Sequence, residues 1–129
     1  MSFILIPERG EDAKVNAWNW RPTLMLLRDA NLIDEDCHER MGHQGSDGRV
    51  DAAVAGPIAD FLERQLASMR PGQRVRADLM VTGKPKKVAV FTPGMKVEDV
   101  DANELYSATY EWLVMFKDFC RSSGGFRVS

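Results

Sequence analysis

Residues 103–122 read NELYSATYEWLVMFKDFCRS, and their periodicity is what points to the fold class. On a helical wheel Leu105, Thr109, Trp112, Leu113, Phe116, Phe119 and Cys120 share one broad face. Glu104, Ser107, Glu111, Asp118 and Ser122 fall opposite. That pattern predicts an amphipathic helix with an aromatic buried stripe, one wall of a hydrophobic core. Asn103 suits the N-cap, Glu104 suits the positive end of the helix dipole, and Gly124 can adopt the left-handed conformation that ends the helix.

Working outward from this helix, Phe126 and Val128 suggest a short final strand, and Pro93 to Asp101 a loop. Before that loop, Arg74–Thr82 and Lys86–Phe91 read as a hairpin turning at Gly83-Lys84, where glycine suits a type II′ turn. In that register Ala77 opposes Val90 and Leu79 opposes Val88 on an apolar face. Arg76 opposes Phe91 and Met80 opposes Lys87 on a mixed one. Pro71-Gly72 closes a helix that Asp51 opens and that runs to about Met69. Its apolar arc is Val54, Ala55, Ile58, Ala59, Phe61, Leu62, Leu66 and Met69, and Gly56-Pro57 predicts a kink or restart within it. Asp34–Met41 reads as a shorter helix capped by Asp34 and followed by Gly42, Gly45 and Gly48. Pro22 stands where a helix over Thr23–Ala30 would begin, at its first position, with Leu24, Leu26 and Leu27 toward the core. Val15–Trp20 reads as a short strand or ordered turn, Pro7–Lys14 as a loop and Ser2–Ile6 as a strand.

The chain of 129 residues is expected to form a single domain over 1–129, with enough apolar residues (44%) for a core that needs no disulfide or metal. With 28% charged residues and a net charge of -2, it carries no overall pull toward nucleic acid or anionic lipid. No run approaches the ~20 apolar residues of a membrane span, and Phe3–Pro7 is too short for a signal sequence. Cys37 and Cys120 are the two cysteines, and they read as reduced thiols of a cytoplasmic protein.

Five stretches invite a chemical reading. Asn16, Trp18, Trp20 and Arg21 in NAWNWRP offer two indoles on one face of an extended segment, with hydrogen-bonding neighbours, as in a ligand-binding pocket. Packing of both indoles against Trp112 and Phe116 is the competing account. Cys37, His38 and His43 are metal-capable, but their spacing matches no ligand motif, so no metal and no cofactor is expected. Gly42–Gly48 precedes a helix without the lysine of a phosphate loop, and Asp47 and Asp51 would repel an anion. His43, Ser46 and Asp47 are neighbours in sequence and carry no nucleophile-elbow motif, so no catalytic residues are assigned. From Arg70 to Lys96 stand seven basic residues (Arg70, Arg74, Arg76, Lys84, Lys86, Lys87, Lys96) against Asp78, a charge segregation that suits either a solvated edge or a phosphate backbone. Finally Glu104, Glu111 and Asp118 line one side of the terminal helix beside Tyr110, Val114 and Met115, an apolar centre with an acidic rim such as partner surfaces show.

WNWRP at 18–22 with Leu24 and Leu27 behind it, SATYEWL at 107–113 and FCRSSGGF at 119–126 together resemble a group of small bacterial proteins of about this length, a group with no assigned activity. The resemblance implies a bacterial, single-domain, cytosolic protein and supplies no catalytic residue.

These readings converge on an α+β domain of three or four helices packed on a small, mainly antiparallel sheet. The leading functional expectation is a non-enzymatic protein-binding module, of the immunity or adaptor type, with another protein as partner and no membrane. Its partner-binding residues would be Glu104, Tyr110, Glu111, Val114, Met115 and Asp118. The alternatives are a small-ligand or enzymatic site beside Asn16, Trp18, Trp20 and Arg21, with Glu111 or His43 as acid/base, and nucleic-acid contact through the hairpin 74–91.

Overall fold

A computed structural model describes residues 2–44, 46–83 and 106–129. Its elements are β1 (Ser2–Pro7), β2 (Ala13–Asn16), α1 (Ala17–Asp29), α2 (Glu35–Met41), β3 (Arg49–Asp51), α3 (Ala52–Ala67), β4 (Arg74–Arg76), β5 (Val81–Thr82), β6 (Ser107–Thr109), α4 (Tyr110–Ser123) and β7 (Gly125–Val128). The fold is α+β. Among the described residues four helices pack with two small antiparallel sheets, one in the order β2-β1-β7-β3 and one in the order β5-β4-β6.

Side-chain alternation sets the faces of the larger sheet. Phe3, Leu5, Val15, Val50, Phe126 and Val128 turn inward, whereas Ile4, Lys14, Arg49 and Arg127 turn out. Against the inner face lies an aromatic chain. Trp20 of α1 meets Phe116 of α4 edge-on with centroids 5.5 Å apart, Phe116 stacks on Trp112 at 5.4 Å, and Phe126 closes edge-on against Phe116 at 5.9 Å. Helix α3 runs along α4, adding Ile58, Ala59, Leu62 and Leu66 to the core.

Each of the four helices among the described residues begins on a side-chain cap, at Asp34 and Asp51 where the sequence suggests a helix start and at Asn16 and Thr109 where it does not. Asp34 Oδ1 accepts from Cys37 N–H at 2.7 Å, Asp51 Oδ1 from Val54 N–H at 3.1 Å and Asn16 Oδ1 from Asn19 N–H at 3.0 Å. The cap at Asn16 corrects the reading of Val15–Trp20. The strand ends at Asn16, and 17–20 are already helical, so Pro22 is the sixth residue of α1 rather than its first. Proline there removes only the hydrogen bond to the Trp18 carbonyl, one turn from the exposed helix start.

The terminal helix is likewise shorter at its front. Residues 107–109 pair with β4, and Thr109 caps α4 by accepting from Trp112 N–H at 3.1 Å. Asn103 and Glu104 lie outside the described residues. The predicted end holds: Gly124 takes φ 70°, and Gly125 follows at φ 110°, where a Cβ would approach the Val50 carbonyl oxygen to 2.8 Å. The FCRSSGGF run is therefore a helix stop placed directly against β3.

Arg74–Thr82 is not one strand. It folds back on itself at 77–80, pairing Arg74 with Thr82 and Val75 with Val81, and Leu79 in the turn has φ 70°. The proposed pairings to Lys87, Val88, Val90 and Phe91 and the loop 93–101 lie outside the described residues. In α3, Gly56-Pro57 does not restart the helix, which is continuous over Ala52–Ala67.

Candidate binding groove

Because 17–20 are helical, the two indoles of NAWNWRP point to opposite sides. Trp20 is fully buried, and its Nε1–H donates to the Met41 carbonyl at 2.8 Å. Asn16 is committed to the helix cap. Trp18 stays 45% exposed and leans on Tyr106, with ring centroids 4.6 Å apart. Arg21, three residues on, lies over the same Tyr106 ring at 5.4 Å. Met25, one turn further, continues that face and is exposed. The expected four-residue pocket thus divides: Trp18 and Arg21 form a surface, while Trp20 and Asn16 hold the fold.

Beside this face α1 and α2 diverge around a groove of about 450 Å³ lined by Arg21, Leu24, Met25, Glu35, His38, Glu39, Gly42 and His43. Buried Leu24 offers an apolar patch, and charged residues of both signs surround it. Glu35 is held by Arg28 at 3.2 Å across the helix pair, an exposed ion pair of small energetic weight. Burial and, after it, the Arg28 charge push the His38 pKa below its usual 6.5, favouring the neutral ring near neutral pH. Arg21 and His43, far apart in sequence, meet in this one groove.

The other candidates are placed differently. Cys37 turns its Sγ toward Met41 Sδ (3.4 Å) and the Arg49 carbonyl (3.7 Å). Burial, reinforced by Asp34 and Asp36, raises its pKa, and burial alone raises that of Cys120, so neither is an activated thiolate. Among the described residues no three of His, Cys, Asp and Glu are grouped to hold a metal. In the basic segment, Arg74 is only 3% exposed. It donates to the Gly83 carbonyl at 3.2 Å and to Ser107 Oγ at 3.0 Å, while Arg76 pairs with Asp78 at 3.1 Å. Both guanidinium groups thus serve the small sheet. Lys84, Lys86, Lys87 and Lys96 lie outside the described residues.

On α4, Glu111 accepts from Gly72 N–H at 3.1 Å and so fastens the α3–β4 turn. Met115 is 50% exposed and Asp118 is exposed beside Lys117, whereas Val114 and Tyr110 are half-buried against the core. Among the described residues the face contains one large exposed apolar side chain rather than a cluster, and Glu104 lies outside them.

Sequence reasoning missed Tyr106, Met25 and the α2 side of the groove. The available signal was the Asn16 cap: starting the helix at residue 17 places Trp18, Arg21 and Met25 at helical spacing on one face. No helix among the described residues is long and apolar enough to cross a membrane. Comparison with protein-family models, curated proteins and solved structures finds no match for the chain.

Proposed function

We propose that the protein is a non-enzymatic protein-binding module, of the immunity or adaptor type, whose partner seats on the exposed side of α1 and in the groove beside it. The observation that carries this reading is the cluster Trp18–Tyr106–Arg21–Met25. Trp, Tyr, Arg and Met are the residue types enriched at the energetic centres of interfaces. Trp18 is also propped by Tyr106 on a rigid helix, so little side-chain entropy remains to be lost on binding. A lone solvent-exposed Leu or Met needs no such account, which is why the α4 face around Met115 supports the reading less well.

The test is affinity capture with the intact chain, followed by a measured Kd for the captured protein. Trp18→Ala and Arg21→Ala should each weaken that Kd by about tenfold or more, with the circular dichroism spectrum unchanged. Met115→Glu should leave it within about twofold. Retention of full affinity by both α1 variants would sink the proposal.

A second reading rests on the meeting of Arg21 and His43: the groove as a small-ligand site, with the guanidinium holding an anionic group. A ligand that raises the melting temperature of the parent protein but not of His43→Ala or Arg21→Ala would favour it over a protein partner.

A further inference from the structure

The larger sheet carries a second, unrelated arrangement of charge on its outer face. Ile6, Arg127 and Arg49 are register partners in one row across β1, β7 and β3. Both arginines are exposed, because Val50, Phe126 and Val128 take the inward positions. Like charges directly opposite one another on neighbouring strands destabilise a sheet. Arg49 has Asp47 at 3.1 Å, a largely solvated pair, whereas Arg127 makes no ion pair among the described residues.

The next outward row along the strands is Glu8, Gly125 and Asp51: Asp51 is the register partner of Gly125, and Glu8 N–H donates to the Gly125 carbonyl at 3.0 Å. Glycine places no side chain between the two acids. Asp51 is held in position by its capping bond to Val54 N–H, and Glu8 makes no ion pair among the described residues. Ile6, Glu8, Arg49, Asp51 and Arg127 together line a pocket of about 330 Å³. Two guanidinium groups and two carboxylates therefore face one space, in rows about 6.6–6.8 Å apart along the strands, without pairing with each other.

We propose that this pocket binds a small zwitterion, a free α-amino acid. Its carboxylate would lie across Arg127 and Arg49, its ammonium group toward Glu8 and Asp51, and its side chain on Ile6. Twin guanidinium donors suit a carboxylate, and a ligand between them offsets the repulsion of the cross-strand pair. A purely anionic ligand meets Glu8, Asp51 and Asp47, and a purely cationic one meets the arginines. A neutral dipole matches both rows. The pocket shares no residue with the α1–α2 groove, so the two proposals stand or fall separately.

The test is a two-dimensional amide NMR titration of the full chain with glycine and L-leucine. N-acetyl-leucine, leucinamide and inorganic phosphate serve as comparisons. The expected result is saturable shifts at Val50, Asp51, Gly125 and Arg127 with both amino acids, and binding at least about tenfold weaker when either end of leucine is blocked. Arg127→Gln should weaken leucine binding by at least about tenfold while raising the urea midpoint, because it relieves the like-charge pair. Glu8→Gln should weaken leucine but not N-acetyl-leucine. No saturable shift with either amino acid, or phosphate binding as well as leucine does, would overturn the proposal.

Discussion

Thr23 shows how much a single side chain settles in this molecule. It is fully buried, donates its hydroxyl to the Asn19 carbonyl at 2.8 Å and accepts from Trp112 Nε1–H at 2.9 Å. Thr23→Val keeps the shape and strands the indole N–H without a partner. We expect a loss of about 1–3 kcal/mol in urea denaturation, with Thr23→Ser retaining most of the stability. A loss for serine with none for valine would mean that the methyl group, not the hydroxyl, matters.

His38 supplies a pH effect at the same scale. Burial and Arg28 lower its pKa, outweighing Glu35 and Glu39. A group whose folded pKa lies below the unfolded value protonates first in the unfolded chain. Its stabilising contribution is therefore complete above about 6.5 and declines as pH falls below that, until the folded protein takes up the proton too. The effect is small because the ring is only part-buried. The fall in urea midpoint between about pH 7.5 and about pH 5.5 should be shallower in His38→Gln than in the parent. An identical fall would remove His38 as its source.

At the scale of elements, caps and breakers compete. Asn16 overrides Pro22: a side chain that satisfies the first free N–H groups sets the start of α1, and proline is tolerated one turn inside. Asn19 then joins two helices, because its Oδ1 accepts from the backbone N–H of Thr109, the cap of α4, at 3.0 Å. In α3, Gly56 is helical, and a Cβ there would meet nothing within 4 Å apart from its chain neighbours. Pro57 follows, and its Cδ crowds a Cβ on the preceding helical residue, so Gly56→Ala should leave the urea midpoint nearly unchanged, that contact offsetting the usual gain of about 0.5–1 kcal/mol. A loss of stability would mean that the chain needs glycine's freedom at 56, as a broken helix would.

At the scale of the whole molecule, Phe116 sits where α1, α4 and β7 meet, ringed by Trp20, Trp112 and Phe126. Phe116→Ala should cost about 3–5 kcal/mol, a large share of the ~5–15 kcal/mol typical of a domain. Near-ultraviolet and far-ultraviolet circular dichroism should lose signal together on heating, since the aromatic chain links both helices to the sheet. Separate transitions would show that the two are not cooperatively coupled. Outside this core, Arg121 of α4 reaches Asp60 at 3.1 Å and Glu63 at 2.8 Å on α3, an exposed tie that adds little by comparison.

The sequence by itself determined the fold class, the aromatic stripe of the last helix, its glycine stop, the caps at Asp34 and Asp51 and the first and last strands. Each of these depends on neighbours within a few residues, where periodicity and hydrogen-bonding side chains act directly. Only the tertiary structure decided that α4 gives up 107–109 to a strand, because those residues pair with β4 rather than with their own chain neighbours. It also separated Trp20 from Trp18, and it brought Arg21 to His43 and Arg127 to Arg49. Such meetings depend on how elements cross, and no local spacing encodes the partner across the gap.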